Sequence, residues 1–223
     1  LVIILFFSIK FYGLTYYILG DKMFIAHRGK VSASSKENTL ESFKKAIDDN
    51  KYQGFELDVR TTKDKELIVF HDFFNNANLI NKTMKNDLDK DICLLEDVLK
   101  LDTDKIILIE IKEKDIDVNK LNGLLLKYFK KNIYVMSFYK EPIKKLLQLK
   151  PMYKCGILNY LFNSEISYNE YDFIVLLDKT ITANLISYFQ SRKLEVFSYG
   201  ITKNNFLYPS NVYYIVDDKI FNE

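Results

Sequence analysis

The two histidines of the chain each follow a short apolar run that predicts a β-strand. His27 comes after Met23–Ala26, and His71 comes after Leu67–Phe70. The carboxyl ends of parallel strands meet at one edge of a sheet, so both imidazoles are expected at that edge. Imidazole is the side chain best suited to moving protons near neutral pH. The pair therefore predicts acid–base chemistry at the ends of the strands.

Three carboxylates lie on two further apolar runs. Glu56 and Asp58 are two residues apart in Gly54–Val59, so they share one face of a strand, and Glu110 lies in Ile106–Ile111. Buried together, they would repel one another and lose hydration unless a cation neutralised them. Oxygen-only ligands favour Mg²⁺ or Ca²⁺. The alternative, surface ion pairs on an exposed edge strand, explains the alternation but not the apolar surroundings.

Two cationic side chains accompany these groups. Arg28 directly follows the first histidine, and Lys112 lies two residues after Glu110. Guanidinium and ammonium groups suit phosphate oxygens. The predicted site thus combines a divalent metal ion, two cationic side chains and two imidazoles. This combination predicts attack on a phosphate ester, in which the positive charges stabilise the phosphate and the imidazoles move protons.

The elements that must position these residues alternate along the chain. Nine runs rich in Ile, Val, Phe and Tyr predict strands, namely Met23–Ala26, Gly54–Val59, Leu67–Phe70, Ile106–Ile111, Ile133–Phe138, Lys154–Leu158, Phe173–Leu177, Leu194–Ser198 and Val212–Val216. Five amphipathic stretches predict helices, namely Thr39–Asn50, Leu94–Leu101, Val118–Lys130, Glu141–Leu149 and Ile181–Arg192. Either Asn38 or Thr39 is expected to cap the first helix.

This alternation indicates βαβ units in a single α/β domain over residues 21–223. Eight or nine strands in a chain of 223 residues favour a small (β/α)₈ TIM barrel over a doubly wound sheet. No GxGxxG or GxxxxGK[ST] loop follows any strand, which weakens a nucleotide-binding interpretation. The last helices are expected to be short or absent after Ser198.

Composition excludes several classes of protein. Apolar residues make up 48% of the chain and charged residues 28%, which is typical of a chain with a sizeable core. The 32 basic and 30 acidic residues give a net charge of +2, so we expect no nucleic-acid partner held by bulk charge. Cys93 and Cys155 form neither a disulfide framework nor a CxxC metal site.

Residues 1–20 form a strongly apolar segment of their own. They predict an N-terminal helix that either packs on the domain or anchors it in a membrane, since roughly 20 helical residues cross a bilayer. Lys10 in the middle disfavours insertion. No basic cluster precedes the segment and no cleavage pattern follows it, which disfavours a signal peptide. Localisation therefore stays open between cytoplasmic and membrane-associated, and the oligomeric state is open too.

Six short segments carry a resemblance to a known family. In chain order they are Ala26-His27-Arg28-Gly29, Glu37-Asn38-Thr39 with Phe43 and Ala46, Gly54-Phe55-Glu56-Leu57-Asp58-Val59, Thr62-Lys63-Asp64, Val69-Phe70-His71-Asp72 and Ile109-Glu110-Ile111-Lys112. Their order and spacing, over about residues 24–112, resemble the glycerophosphodiester phosphodiesterase family. Weaker similarities follow, among them Leu94-Leu95-Glu96-Asp97 and Val216-Asp217.

The resemblance implies a TIM barrel that hydrolyses glycerophosphodiesters to glycerol 3-phosphate and an alcohol with a divalent cation, Mg²⁺ or Ca²⁺. It assigns the metal to Glu56, Asp58 and Glu110, and acid–base catalysis to His27 and His71. Arg28 and Lys112 would contact the phosphate, and Glu37 would lie behind them or on the substrate side. Which histidine is the acid stays open, as does the nucleophile, which is either water or the neighbouring glycerol hydroxyl.

Two departures from the family pattern bear on the substrate. Only residues 73–93 stand where the family carries a small capping insertion, so a reduced cap and a more open pocket are expected. The late Trp-Thr-Val-Asn strand of the family is best matched by Phe197-Ser198-Tyr199-Gly200. Phe197 or Tyr199 is expected to pack on the glycerol carbons.

Because an open pocket is expected, two other functions are considered. A lysophospholipase D-like enzyme or a phosphodiesterase of glycerol-phosphate polymers is the nearest alternative, favoured by the short cap and the apolar N-terminus. A non-catalytic barrel that only binds its ligand is the third. It has no physical need for the complete set of two imidazoles and three carboxylates.

Overall fold

Eleven strands and five α-helices make up the computed structural model, which describes residues 22–129, 132–208 and 212–221. The strands are β1 Met23–Ala26, β2 Tyr52–Thr61, β3 Leu67–Val69, β4 Phe74–Asn75, β5 Asn78–Leu79, β6 Ile106–Ile111, β7 Ile133–Ser137, β8 Lys154–Asn159, β9 Phe173–Leu177, β10 Glu195–Tyr199 and β11 Tyr213–Val216. The helices are α1 Leu40–Asp48, α2 Leu95–Leu99, α3 Val118–Lys127, α4 Lys140–Gln148 and α5 Ala183–Gln190. The five helices and nine of the strands overlap the predicted runs, whereas the short strands β4 and β5 were not predicted.

Eight of the strands, β1, β2 and β6 to β11, form a closed parallel barrel. Each pairs with its neighbours in chain order, and β1 pairs with both β2 and β11, so the barrel has no free edge. The predicted (β/α)₈ fold is confirmed. The described residues contain no α-helix between β10 and β11, and only a 3₁₀ turn at Asp218–Phe221 follows β11, as expected for the chain after Ser198.

The strand β3 lies outside the barrel wall. It pairs antiparallel with β2, with Val69 opposite Val59 and Leu67 opposite Thr61. The amide of Phe70 then donates to the carbonyl of Asp58 at 2.9 Å. His71 therefore reaches the carboxyl ends of the barrel strands from a hairpin rather than from a strand of the wall.

Side chains that alternate along the strands fill the barrel interior. Their buried cluster comprises Ile25, Ile106, Leu108, Tyr134, Met136, Leu158, Phe173, Val175, Phe197 and Ile215. A Cβ atom on Gly156 would lie 2.5 Å from the ring of Phe173, so the glycine leaves the space that this ring fills. In the part of the barrel that the structure describes, the interior below the carboxyl ends of the strands is therefore packed core, so we look for the ligand site at the carboxyl ends, the upper end of the barrel.

The segment between His71 and α2 is small. It consists of the two-stranded hairpin of β4 and β5 and two 3₁₀ turns, Ile80–Lys82 and Lys85–Asp87. Ile80 packs with Ile68 beneath this segment. Among the residues that the structure describes, no helix has both the length and the apolar composition required to cross a bilayer. The predicted helix over residues 1–20 lies outside the described ranges.

Candidate active site

The three predicted metal ligands meet inside the barrel at its upper end. Glu56 and Asp58 lie on β2, and Asp58 stands opposite Glu110 of β6 in the strand register. One carboxylate oxygen from each lies within 4.8 Å of the other two. All three residues are buried, which rules out the alternative of ion pairs on an exposed edge strand.

Glu56 carries the least compensated charge of the three. The backbone amide of Arg28 donates to its Oε2 at 3.0 Å, while its buried Oε1 has no hydrogen-bond partner. Burial raises the pKa of Glu56 well above its usual value, and the charges of Asp58 and Glu110 raise it further. A buried acceptor without a donor, beside two more carboxylates, fits a hard divalent cation with oxygen ligands.

The two predicted phosphate-binding cations lie on opposite sides of Asp58. Arg28 Nε is 3.3 Å from Asp58 Oδ2, and Lys112 Nζ is 3.5 Å from Oδ1. Lys112 also donates to Glu110 Oε1 at 2.8 Å. Burial alone would lower the pKa of Lys112, but Glu110 and Asp58 raise it above its usual value. The site thus holds both cations in their charged form next to the carboxylates.

Glu37 contacts Arg28 and lies farther from the centre of the site than the three carboxylates. Its Oε1 accepts from Arg28 Nη1 at 2.8 Å, and its side chain is half exposed. This contact holds the guanidinium of Arg28 at the rim of the site. Contact with a substrate stays a prediction for Glu37.

Asn38 is a member of the site that the sequence did not reveal as such. Its Nδ2 donates to Asp58 Oδ2 at 2.8 Å, and the backbone amide of Asp58 donates to its Oδ1 at 3.2 Å. The cap of α1 is instead Thr39, whose hydroxyl accepts from the Ser42 amide. Asn38 has a φ of 56°, a left-handed conformation that asparagine tolerates better than most residues. That conformation leaves its amide free to orient Asp58.

His27 lies directly above the carboxylates. Its Nδ1 is hydrogen-bonded to Asp217 Oδ1 at 2.7 Å, and its Nε2 is 4.0 Å from Glu56 Oε2. The bond to His27 holds the pKa of the Asp217 carboxyl below its usual value. Asp217 directly follows β11, so its carboxylate orients the imidazole with Nε2 toward the site.

His71 has a similar arrangement on the other side. Its Nδ1 is hydrogen-bonded to Asp72 Oδ1 at 2.7 Å, and this bond lowers the pKa of Asp72. Arg60 Nε donates to the backbone carbonyl of His71 at 2.8 Å. His71 lines a cavity of about 340 Å³ together with Glu110 and Lys112. Both imidazoles thus border the carboxylate cluster, and each is oriented by a carboxylate.

The Asp217→Asn variant tests this orientation. An asparagine amide at the same place offers a weaker, uncharged partner, so the preferred tautomer and angle of the His27 ring are lost. We expect kcat to fall by about tenfold or more, with KM much less affected. Steady-state kinetics with the melting temperature as a control would check this. A change in KM with kcat unaffected, or no change in either constant, would contradict an orienting role.

The structure does not bring Phe197 to the pocket. Its ring is fully buried in the barrel core and packs against Phe173 and Tyr213, at centroid distances of 5.2 and 4.6 Å. The expectation that Phe197 contacts the substrate is therefore corrected. Tyr199, two residues further along β10, lies higher and meets the edge of Phe138 at 6.1 Å.

A family model identifies this arrangement. The model of the glycerophosphoryl diester phosphodiesterase family matches residues 27–219, which include every predicted ligand and both imidazoles. The chain belongs to this family. It is therefore a phosphodiesterase of glycerophosphodiester type, and the resemblance seen in the motifs of its first half extends from the end of β1 through β11.

Solved structures show the same fold. A glycerophosphodiester phosphodiesterase from Thermotoga maritima is 24% identical, with a TM-score of 0.71 over 90% of this chain and 96% of that one. One from Parabacteroides distasonis is 17% identical, with a TM-score of 0.75 over 91% and 95%. A phosphodiesterase from Oleispira antarctica in complex with the product sn-glycerol-3-phosphate is 18% identical, with a TM-score of 0.73 over 92% and 97%. A search of curated proteins gave no significant match.

Proposed function

We propose that this enzyme hydrolyses glycerophosphodiesters to glycerol 3-phosphate and an alcohol, with a divalent cation and histidine acid–base catalysis. The observation that carries the proposal is the buried cluster of Glu56, Asp58 and Glu110, bordered by two imidazoles that are each hydrogen-bonded to a carboxylate. The Oleispira antarctica structure supports it, because that relative of the same fold binds sn-glycerol-3-phosphate as its product.

Glu56, Asp58 and Glu110 would hold the cation, Mg²⁺ or Ca²⁺. When bound, it supplies a positive charge that polarises the phosphate and stabilises the charge developing on its oxygens. Asn38 keeps Asp58 in place through two hydrogen bonds. Arg28 and Lys112 supply further positive charge at the mouth, where they would contact the remaining phosphate oxygens.

The two imidazoles would move the protons. One takes the proton of the attacking hydroxyl, which belongs to water or to the neighbouring glycerol carbon, as the new P–O bond forms. The other gives a proton to the alcohol oxygen as its bond to phosphorus breaks. Where the glycerol hydroxyl attacks, this step gives a cyclic phosphate, which water then opens to glycerol 3-phosphate. The bonds from Asp217 and Asp72 fix each ring by its Nδ1 and leave Nε2 for the reaction.

The test is the release of glycerol 3-phosphate from a panel of glycerophosphodiesters, and of acylglycerol phosphate from lysophospholipids, in Mg²⁺, in Ca²⁺ and in EDTA. The His27→Ala variant serves as the control for contaminating activity. We expect release that requires the cation and that the variant loses. No release from a folded protein that still binds the cation would overturn the proposal and favour a binding role.

A further inference from the structure

The loop that carries His71 is tied to the barrel less firmly than the segment that carries His27. The amide of His27 donates to the carbonyl of Val216 on β11 at 2.9 Å, and its Nδ1 partner, Asp217, follows the same strand. The Nδ1 partner of His71 is instead its loop neighbour Asp72, whose side chain is 72% exposed. That bond sets the angle of the ring but does not fix the loop.

One hydrogen bond joins the backbone of His71 to a side chain of the barrel. Among the bonds of the described residues, this contact is the one from Arg60 Nε to the carbonyl of His71, at 2.8 Å. Arg60 lies on β2, two residues beyond Asp58, and its side chain is 3% exposed. It therefore connects the strand of the carboxylate cluster to the loop of the second imidazole.

The guanidinium of Arg60 makes three contacts at once. Its Nε donates to His71, its carbon lies 4.0 Å from the ring centroid of Phe73, and its Nη1 faces Glu113 Oε1 at 3.9 Å. Arginine can do this because its donors and its flat face are fixed relative to one another. The ammonium group of a lysine is a single point charge and has no flat face.

The cost of burying this charge is not explained by packing alone. Burial lowers the pKa of Arg60, and the charges of Glu113, Asp58 and Asp72 offset this effect only in part. An apolar side chain of similar length would fill the same space without the loss of hydration. The contacts that a guanidinium alone can make, above all the bond to His71, explain the charge.

Direct contact with the substrate is the alternative role, since Arg60 also lines the cavity that contains His71. The geometry disfavours this role, because the carbonyl of His71 uses Nε and the ring of Phe73 covers one face. Asp72 and Glu110 line the same cavity, so the charge of Arg60 does not stand there without counterions.

We propose that Arg60 is a positioning residue, which holds the loop of His71 so that the imidazole borders the carboxylate cluster. In catalysis, the proposal rests on the proposed function. Arg60 acts through His71, and neither through His27 nor through a contact with the substrate.

The Arg60→Lys variant tests this role, because it keeps the charge and loses the combined contacts. We expect kcat to fall by at least about tenfold with KM much less affected, since a displacement of about 1 Å can lower a rate by about 10²-fold. In the His71→Ala background the same change should cost less than about twofold, because the group that Arg60 holds is gone. In the His27→Ala background it should keep its full effect. Release of glycerol 3-phosphate from a glycerophosphodiester gives these rates.

A second measurement follows the ring itself and does not depend on activity. The chain has two histidines, so the two single His→Ala variants assign both imidazole signals in a ¹H–¹³C NMR spectrum. Arg60→Lys should shift or broaden the signal of His71 and leave that of His27 unchanged. If Arg60→Lys does not fold, Phe73→Leu replaces it in the kinetic comparison. That exposed side chain lies against the guanidinium, so its loss should lower kcat less, with the same dependence on His71.

Arg192→Lys is the matched control. Arg192 also lies over an aromatic ring, that of Tyr188 at 3.8 Å, and its Nη1 also donates to a backbone carbonyl, that of Tyr188 at 3.2 Å. It follows α5 and precedes β10, and so lies toward the opposite end of the barrel. This variant should keep the parent kcat and both histidine signals.

Two results would overturn the proposal. A loss of equal size with and without His71, or a change confined to KM, would make Arg60 a substrate contact. A His71 signal of unchanged position and width in Arg60→Lys would show that Arg60 does not hold the loop. No hydrolysis by a folded, cation-binding parent would overturn the proposed function instead, and the NMR comparison would still decide whether Arg60 positions His71.

Discussion

The Glu56→Gln variant is expected to lose cation-dependent hydrolysis by at least about 10²-fold and, in EDTA, to melt at a higher temperature than the parent. The first effect follows from the loss of one of three carboxylates that surround a single point. The second follows from the position of Glu56, which is buried, repelled by Asp58 and Glu110, and left with one oxygen unpartnered. A glutamine keeps the acceptor for the Arg28 amide and removes the buried charge.

The gain in stability should depend on pH. The raised pKa means that folded Glu56 keeps its proton at pH values where the unfolded chain has already lost it. Without cation, the free energy of unfolding of the parent therefore falls as pH rises from the ordinary carboxyl pKa to the raised one. We expect the variant to gain little at pH 4 and about 1 kcal/mol or more at pH 8, a shift of roughly 2–4 °C in Tm.

Asp58→Asn is the matched comparison, because it removes a charge from the same strand face. Asp58 differs from Glu56 in having partners on all sides, namely Arg28, Lys112 and Asn38. Its replacement should abolish activity too, but it takes from Arg28 and Lys112, both partly buried, one of the two carboxylates that each contacts, and so lowers Tm in EDTA. Thermal unfolding with and without Mg²⁺ would show the opposite signs. A parent protein that is equally stable in Mg²⁺, Ca²⁺ and EDTA would contradict a cation site on these residues.

The positions of the carboxylates were predictable because alternation along a strand fixes which face a side chain occupies. Glu56 and Asp58 had to share a face, and their apolar neighbours placed that face in a buried sheet. Depth inside the barrel is a different property. Phe197 and Tyr199 also share a face of β10. The strand register sets Phe197 opposite Tyr213 and Tyr199 opposite Leu177. It therefore places Phe197 inside the core and Tyr199 nearer the carboxyl end of the barrel. That stagger comes from barrel closure and is absent from the local sequence.

The partners that orient the site residues could not be predicted for a related reason. Asp217 lies 190 positions from His27, and Asn38 lies 20 positions from Asp58. Only closure of β11 onto β1, and the turn before α1, bring these pairs together. The antiparallel direction of β3 was equally hidden, because an apolar run of four residues predicts a strand without its partner or direction.

The His27→Ala and His71→Ala variants should each lower kcat by at least about 10²-fold, the usual contribution of a positioned acid or base. Neither change should lower Tm much, because both side chains are about one-third exposed. His71→Ala frees only Asp72, which is itself mostly exposed. A variant whose kcat stays within about twofold of the parent would exclude that imidazole as a proton carrier.

The leaving group separates the two roles. An alcohol of high pKa departs only with a proton, whereas an acidic phenol departs without one. On a glycerophosphodiester with a nitrophenol leaving group, the variant that lacks the general acid should regain most of the parent rate, and the variant that lacks the general base should not. Because each ring is held by its own carboxylate through Nδ1, the two roles are carried by separate dyads. Rescue of one variant would therefore assign both histidines, whereas rescue of both or of neither would contradict a division of labour between them.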